Sequence, residues 1–293
     1  MYSAREKAAI LVEALPYIKK FAGRTVVIKY GGHAMGESDD DVLTDVVLLK
    51  YVGLRPVLVH GGGPEISGWL RKVGKKSDFI GGLRITDAET MEIAEMVLTG
   101  KLSQKIVSSL NRLGVRAVGL SGKDADLLVA VRKKGLVRRP DGGEELLDIG
   151  AVGEITAVNP ELIEILFREG YVPVVAPVAT DGRGETYNVN ADHAAGMLAG
   201  AVGADKLVLL TDVEGILRDP RDPASLISVV RAGEVEELKR SGVLTGGMLP
   251  KVDCCVQALD QGVSEAHILD GRVPHAILLE IFTDSGIGTM VVP

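Results

Sequence analysis

Residues 25–32 read TVVIKYGG and residues 56–63 read PVLVHGGG, and each stretch is a short apolar run that ends in glycines. Further short apolar runs occupy 117–120, 172–176, 206–210, 267–269 and 289–292. Stretches with helical spacing of apolar residues separate most of these runs. Buried strands that alternate with helices are typical of a largely parallel sheet covered by helices on both faces. The sequence therefore predicts an α/β fold whose ligands bind beyond the carboxyl ends of the strands.

The chain has 293 residues, a length that suits two domains. Its composition is 46% hydrophobic and 25% charged, which is ordinary for a globular protein with a sizeable core. We expect the boundary between the two domains near residue 178, after the apolar run 172–176. Turn residues in 127–156 predict hairpins inserted at the edge of the sheet.

Several classes of protein find no support in this sequence. The net charge is -7 and no basic stripe is present, so we expect no nucleic-acid partner. No apolar run approaches the roughly 20 residues that cross a bilayer, and charged residues interrupt the first twenty positions, so we expect a cytoplasmic protein. The five histidines form no metal-ligand motif, and no metal site from protein side chains is expected. Cys254 and Cys255 are adjacent, which argues against a structural disulfide.

The N-terminal segment has the pattern of an amphipathic helix. Ser3 and Glu6 form a capping-box pair, and apolar residues recur at helical spacing, with Pro16 expected to kink the helix. Its apolar face could pack on its own domain or on a neighbouring subunit, and the sequence leaves both open.

Two glycine-rich turns follow the first two predicted strands. The first carries Lys29 before Gly31 and Gly32, and the second carries Gly62 and Gly63 before a proline that starts a helix. Glycines let backbone N–H groups approach a ligand, and helix N-termini attract anions, so together the turns predict an anion cradle. A purely steric role in tight turns is the alternative.

Two further motifs place polar residues at the starts of predicted helices. In YNVNAD (187–192), Asn188, Asn190 and Asp192 suit the binding of a small polar ligand, although Asn190 would equally serve as a helix N-cap. Lys251 also lies near a helix start, where a cation is electrostatically unfavourable. A bound anion would explain a lysine at this position, and a solvated surface lysine is the alternative.

Taken together, these motifs resemble the N-acetylglutamate kinases of the amino acid kinase family, over essentially the whole chain. The motifs are IKYGG (28–32), VHGGGPEI (59–66), GLRIT (82–86), YNVNAD (187–192), LLTDVEGIL (209–217) and GGMLPKV (246–252). The resemblance implies an αβα sandwich of the carbamate kinase-like type with a kinked N-terminal helix. It also implies an oligomerisation helix in 1–24, an N-acetylglutamate-binding lobe in 25–178, and an ATP-binding lobe with an arginine site in 179–293.

The resemblance assigns roles to individual residues. Lys29 and Lys251 would flank the transferring phosphoryl group, and Asp192 would orient both ammonium groups. Arg84 would bind the substrate α-carboxylate, where a planar guanidinium can bind bidentately. The remaining implied contacts are substrate or phosphoryl binding by Gly31, Gly32, Gly62, Gly63, Asn188 and Asn190, and contacts near ATP by Thr211, Asp212, Gly246 and Gly247.

The implied reaction is ATP-dependent phosphorylation of the γ-carboxylate of N-acetyl-L-glutamate in arginine biosynthesis, giving N-acetyl-L-glutamyl 5-phosphate. Mg²⁺ would be bound through the nucleotide phosphates. A γ-carboxylate with a pKa of about 4.3 is already ionised at neutral pH, so no general base is needed. Alternatives are a sister kinase acting on acetylaminoadipate, glutamate, aspartate, carbamate or UMP, or a non-catalytic nucleotide-binding sensor.

The N-terminal helix and residues 275–288 (HAILLEIFTDSGIG) resemble the arginine-inhibited members of the family. This resemblance implies a homohexamer built as a trimer of dimers and inhibited by L-arginine, with Tyr17, Glu280 and Gly286 at the inhibitor site. A PII-type signalling protein, a partner of some relatives, is a further possible partner that the sequence does not decide.

Overall fold

The computed structural model describes residues 3–31, 39–138, 143–283 and 286–293. The strands are β1 (Thr25–Tyr30), β2 (Arg55–His60), β3 (Phe79–Ile80), β4 (Leu83–Arg84), β5 (Ala117–Ser121), β6 (Leu128–Arg138), β7 (Glu144–Val158), β8 (Val172–Ala176), β9 (Val178–Thr180), β10 (Thr186–Asn188), β11 (Lys206–Thr211), β12 (Val229–Arg231), β13 (Glu265–Asp270) and β14 (Thr289–Val292). The helices are α1 (Ala4–Phe21), α2 (Asp39–Tyr51), α3 (Gly63–Lys72), α4 (Ala88–Glu95), α5 (Ser103–Arg112), α6 (Glu161–Arg168), α7 (Ala191–Ala201), α8 (Val235–Arg240), α9 (Met248–Asp260) and α10 (Ala276–Ile281). A π-helical segment, Met96–Leu102, joins α4 to α5, and short 3₁₀ turns lie at Asp124–Asp126, Pro223–Ser225 and Ala232–Glu234.

Eight strands of the described ranges form the central sheet, in the order β12-β14-β13-β11-β1-β2-β8-β5. Neighbours pair in parallel except β13 and β14, which are antiparallel. All seven apolar runs predicted from the sequence are strands of this sheet. The predicted, mainly parallel α/β fold is therefore confirmed.

Both faces of the sheet are covered. Along β1, Val27 packs into one apolar cluster, whereas Val26 and Ile28 pack into another on the opposite face. The first cluster contains residues of α7 and α9, and the second contains residues of α2, α5 and α10. Because successive strand residues point to opposite faces, continuous valine and isoleucine runs are what a sheet buried on both sides requires. The fold is thus an αβα sandwich.

The predicted hairpin is β6 paired antiparallel with β7, but it does not extend the edge of the central sheet. In the described part of the chain, β6 and β7 form a separate four-stranded ring with β9 and β10. These two short strands come from residues 178–188, at the predicted domain division, and the central sheet continues across that division through the β1–β11 pairing. The division near residue 178 stays a prediction.

The N-terminal helix α1 begins with the predicted capping box. The Glu6 backbone N–H donates to Ser3 Oγ (3.3 Å), and the Ser3 N–H donates to the Glu6 carboxylate (2.7 Å). Pro16 lies inside the helix, and the predicted kink stays a prediction. Leu11 and Val12 are 70% and 68% exposed, so the apolar face of α1 is largely uncovered within one chain.

Other expectations can be compared directly with the structure. Cys254 and Cys255 are free and buried, as their adjacency predicted. Among the described residues, no helix combines the length and apolar character that a bilayer crossing requires.

Candidate active site

Two lysines from distant parts of the chain meet one aspartate at the carboxyl edge of the sheet. Lys29 lies near the end of β1, Asp192 in the first turn of α7, and Lys251 in the first turn of α9. Lys29 Nζ is 2.9 Å from Asp192 Oδ1, and Lys251 Nζ donates to Asp192 Oδ2 at 2.8 Å. The parallel strands bring these side chains together because their carboxyl ends share one edge.

The charges of this cluster do not balance. Two ammonium groups face one carboxylate, and Lys29 and Asp192 are both buried. Burial by itself would raise the pKa of Asp192, but the two lysines hold that pKa below its ordinary value of 3.8. Asp192 therefore remains ionised, and the cluster retains an excess positive charge that favours a bound anion.

A cavity of about 230 Å³ opens beside this cluster. The predicted site residues that line it are Lys29, Gly62, Gly63, Arg84, Asn188, Asn190 and Asp192. The structure thus brings the predicted substrate-binding residues to one cavity.

Arg84 reaches this cavity as a preorganised cation. Its Nη2 donates to the Gly63 carbonyl and to Ser67 Oγ, both at 2.8 Å, and its Nη1 donates to Ser77 Oγ. The guanidinium also lies 4.6 Å from the ring centre of Phe79, and its burial lowers the pKa of the group. Within the described ranges Arg84 donates only to neutral acceptors, so its charge is not cancelled by a carboxylate. A ligand carboxylate would complete the interaction.

Sequence reasoning missed Ser67, Ser77 and Phe79. Ser67 could have been noticed, because it lies one turn after Gly63 on α3, on the helix that begins at the glycine-rich turn. Ser77 and Phe79 belong to an irregular segment and to a two-residue strand, which carry no periodic signal.

The glycine turns pack tightly. A Cβ on Gly62 would lie 2.6 Å from the side chains of both Leu98 and Leu102, which belong to the π-helical segment. A Cβ on Gly31 would lie 2.8 Å from the backbone nitrogen of Gly61, so the two glycine turns touch each other. Gly31 does not line the cavity itself, and Gly32 lies outside the described residues.

The two asparagines of the YNVNAD motif differ in their local roles. Asn190 Oδ1 accepts the His193 backbone N–H at 3.0 Å, so Asn190 is the N-cap of α7 and orients the turn that carries Asp192. Asn188 ends β10, and its amide donates to Thr86 Oγ1 at 3.4 Å. Both line the cavity, and their contact with a substrate stays a prediction.

A second cavity, of about 360 Å³, is lined by Lys251, which does not line the first cavity. Thr211, Asp212 and Gly247 line it together with Lys251. Gly246 does not line it, but its φ of +54° turns the chain just before α9, a conformation that favours glycine. Asp192 thus contacts one lysine that lines the first cavity, Lys29, and one that lines the second, Lys251.

The predicted inhibitor residues gather around α10. The Tyr17 and Phe282 rings pack edge to face with centroids 6.5 Å apart, and a Cβ on Gly286 would lie 2.7 Å from Glu280 Oε2. Glu280 belongs to a second, partly buried cluster, which we call the His267 cluster. Its members are Lys206, Glu265, His267 and Glu280.

Known proteins resemble this chain in sequence and in structure. The profile of the amino acid kinase family matches residues 24–270. Acetylglutamate kinase from Pelotomaculum thermopropionicum is 65% identical over 98% of each chain. N-acetylglutamate synthase from Neisseria gonorrhoeae, in complex with coenzyme A and N-acetyl-glutamate, matches with a TM-score of 0.83 at 26% identity, over 98% of this chain and 63% of the other.

Carbamate kinase from Giardia lamblia, bound to AMP-PNP, matches with a TM-score of 0.63 at 16% identity, over 92% of this chain and 99% of the other, and confirms the carbamate kinase-like fold. Sequence identity, the family profile and the shared fold agree. The chain therefore belongs to the amino acid kinase family, and within it to the acetylglutamate kinases.

Proposed function

We propose that this protein transfers the γ-phosphoryl group of ATP to the γ-carboxylate of N-acetyl-L-glutamate, in arginine biosynthesis. The observation that carries the proposal is the placement of Lys29 and Lys251 on the two oxygens of one buried aspartate, between two cavities. Such a pair can compensate the charge that develops on a phosphoryl group between donor and acceptor. Asp192 would orient the two lysines, since each of its carboxylate oxygens contacts one of their ammonium groups.

The acceptor would occupy the cavity beside Lys29. Arg84 would bind its α-carboxylate, and the N–H groups of Gly62 and Gly63, at the start of α3, would face its anionic oxygens. A γ-carboxylate oxygen would form a bond to the γ-phosphorus while the bond from phosphorus to the bridging oxygen of ADP breaks. The products are N-acetyl-L-glutamyl 5-phosphate and ADP, and no proton needs to move.

The donor would occupy the cavity beside Lys251, lined by Thr211, Asp212 and Gly247. We propose residues 25–178 as the acceptor-binding lobe and 179–293 as the nucleotide-binding lobe. Mg²⁺, bound through the nucleotide phosphates, would supply further neutralisation of charge there. The excess positive charge of the two lysines fits such a polyanionic ligand.

The direct test is to measure acceptor-dependent ADP release, with hydroxylamine present to trap the acyl phosphate. The panel is N-acetylglutamate, acetylaminoadipate, glutamate, aspartate, carbamate and UMP. We expect the highest kcat/KM, together with a trapped hydroxamate, for N-acetylglutamate. A higher value for another acceptor would assign a sister kinase, and nucleotide binding without turnover on any acceptor would assign a sensor.

We also propose that the protein is a cytoplasmic homohexamer inhibited by L-arginine. The exposed apolar face of α1 supports assembly, because a face of this kind is normally covered by a partner. The His267 cluster sets two carboxylates against one lysine, and this acidic excess suits a cationic ligand. Gly286 lies beside Glu280 of this cluster, and Tyr17 packs on Phe282, which follows α10.

Deletion of residues 1–20 tests both parts of this proposal. Light scattering should show dimers in place of hexamers, and arginine should inhibit the truncated protein more weakly. An unchanged hexamer would rule out the proposed role of α1. A PII-type partner can be tested in the same way, by adding the purified signalling protein to the full-length chain.

A further inference from the structure

His60 ends β2, immediately before the glycines that line the acceptor cavity. Its side chain is fully buried, and its Nδ1 lies 3.0 Å from the carbonyl oxygen of Gly61. Its Nε2 is buried and has no hydrogen-bond partner among the described residues. A histidine that leaves one ring nitrogen unsatisfied in the core costs free energy that an apolar side chain would not.

The contact with Gly61 determines where the imidazole carries its proton. A carbonyl oxygen can only accept a hydrogen bond, so Nδ1 is the protonated nitrogen and Nε2 keeps a lone pair. Burial lowers the pKa of His60 to about 4, so the ring is neutral at neutral pH. His60 therefore serves as a fixed donor rather than as an acid or base.

The Gly61 backbone is held from several directions. Its N–H donates to the Tyr30 carbonyl at 2.8 Å, its backbone packs against Gly31, and its carbonyl accepts from His60. In a trans peptide the C=O and the following N–H point in opposite directions. No cis peptide occurs in the described ranges, so fixing the Gly61 carbonyl also fixes the direction of the Gly62 N–H. Among the described residues that N–H donates to no backbone carbonyl, and Gly62 lines the acceptor cavity.

We propose that His60 is a positioning residue, whose Nδ1–H bond to the Gly61 carbonyl aims the Gly62 N–H at the anionic oxygens of the reacting groups. This inference rests on the proposed kinase function. It explains the unsatisfied Nε2, because the position requires a rigid donor at Nδ1 and requires nothing from the rest of the ring.

A set of substitutions tests whether position 60 requires the hydrogen-bond donor at Nδ1 or only a side chain of similar shape. His60→Asn places an amide nitrogen close to the position of Nδ1, whereas His60→Gln places it near Nε2, and His60→Leu removes the donor. We expect His60→Asn to keep kcat within about threefold of the wild type, because one neutral hydrogen bond is retained. His60→Gln and His60→Leu should lower kcat by roughly 10- to 100-fold, a part of the effect of losing a whole oxyanion donor. KM for ATP should not change, since Gly62 does not line the second cavity.

Thr25→Val is the matched control. Thr25 is also buried on the central sheet, and its Oγ1 has no hydrogen-bond partner in the described part of the chain, but it lies at the opposite end of β1. We expect this variant to keep the wild-type kcat. Equal losses in His60→Asn and His60→Gln, or wild-type kcat in His60→Leu, would overturn the proposal.

A spectroscopic measurement does not depend on activity. In ¹⁵N-histidine-labelled protein, the signal lost in His60→Asn should show a neutral ring protonated at Nδ1 that does not titrate between pH 8 and about 5. An Nε2–H tautomer, or titration near the ordinary histidine value, would contradict the proposal even if His60→Leu fails to fold. A wild-type protein inactive with every acceptor would instead refute the kinase function itself.

Discussion

Two largely buried charge clusters lie at opposite ends of the paired strands β1 and β11. Near the carboxyl ends, Lys29 and Lys251 share the single carboxylate of Asp192. At the amino end of β11, Lys206 contacts Glu265 and His267, and His267 contacts Glu280. The first cluster has an excess of positive charge, and the second has an excess of carboxylates.

The two clusters also differ in how completely the protein satisfies them. Glu280 accepts hydrogen bonds from His267 (2.8 Å) and from the backbone N–H groups of Ile287 and Gly288. The lysine pair adjoins two cavities and shares one counter-ion. The hydrogen bonds to Glu280 stabilise the fold without a ligand, whereas the lysine pair, with one carboxylate for two ammonium groups, favours a bound anion. Removing a lysine should therefore mainly lower turnover in the first cluster and mainly lower stability in the second.

The largest effect should come from the lysine pair. We expect Lys29→Ala and Lys251→Ala each to lower kcat by at least about 10²- to 10³-fold, because in the proposed reaction each would remove a charge that faces the transferring phosphoryl group. Steady-state ADP release measures this effect. Lys123→Ala is the control, since Lys123 contacts Glu95 and Thr186 and lines neither cavity. Near-normal turnover in both site variants would mean that the lysine pair has no catalytic role.

The next effect concerns the shared counter-ion. Asp192→Ala leaves two lysines close together without a carboxylate, and we expect the free energy of unfolding to fall by about 3 kcal/mol. Inorganic phosphate should restore part of this stability, because an added anion can bind between the ammonium groups. Urea unfolding with and without phosphate measures both. If phosphate stabilises the wild type and the variant equally, the idea of an anion-binding lysine pair is weakened.

A smaller effect is expected in the His267 cluster. Lys206→Met preserves the length of the side chain but removes its charge, and we expect a loss of about 2 kcal/mol in the free energy of unfolding. Turnover without arginine should stay within about threefold of the wild type, because Lys206 lines neither of the two site cavities. A large loss of turnover in Lys206→Met with unchanged stability would show that the His267 cluster serves catalysis rather than stability.

The smallest effect should appear in the pH dependence of stability. Hydrogen bonding to His267, together with Lys206, lowers the pKa of Glu265 from 4.5 to about 2. A lowered carboxyl pKa stabilises the folded state above pH 4.5, and this contribution is lost as the pH falls towards 2. Because the Glu265 side chain is 29% exposed, solvent screening reduces this contribution to the free energy of unfolding to roughly 1 kcal/mol.

Glu265→Gln should accordingly be less stable than the wild type at neutral pH, and the difference should shrink in acid. Unfolding curves at several pH values between 7 and about 3 measure it. A difference that stays constant with pH would show that the carboxylate charge is not the stabilising feature.

The sequence predicted most of the elements that position the site. Continuous apolar runs marked the seven strands, because a strand buried on both faces leaves a local signal. The turn at Gly62, the cap at Asn190 and the helix containing Lys251 were also predictable from local chemistry. The individual roles of these residues in binding and catalysis remain predictions.

Contacts between distant segments were not predictable in the same way. Lys206 and Glu265 are 59 residues apart, and the hydrogen bonds from Arg84 to Ser67 and Ser77 depend on how α3 and β4 pack. One signal was present, since Lys206 and Glu265 each begin a strand and pair in register in the sheet. Recognising that pair requires the strand order, which spacing along the chain does not supply.

The hydrogen-bonded ladder between β1 and β11 constrains how the cleft can change shape. Residues 26–29 of β1 pair in register with residues 206–209 of β11, so the two halves of the chain are joined through the strand that carries Lys29. A flexible linker cannot serve as their hinge while this ladder is intact. We therefore expect any opening of the site to come from bending of the sheet or tilting of its covering helices, with the spacing of β1 and β11 unchanged.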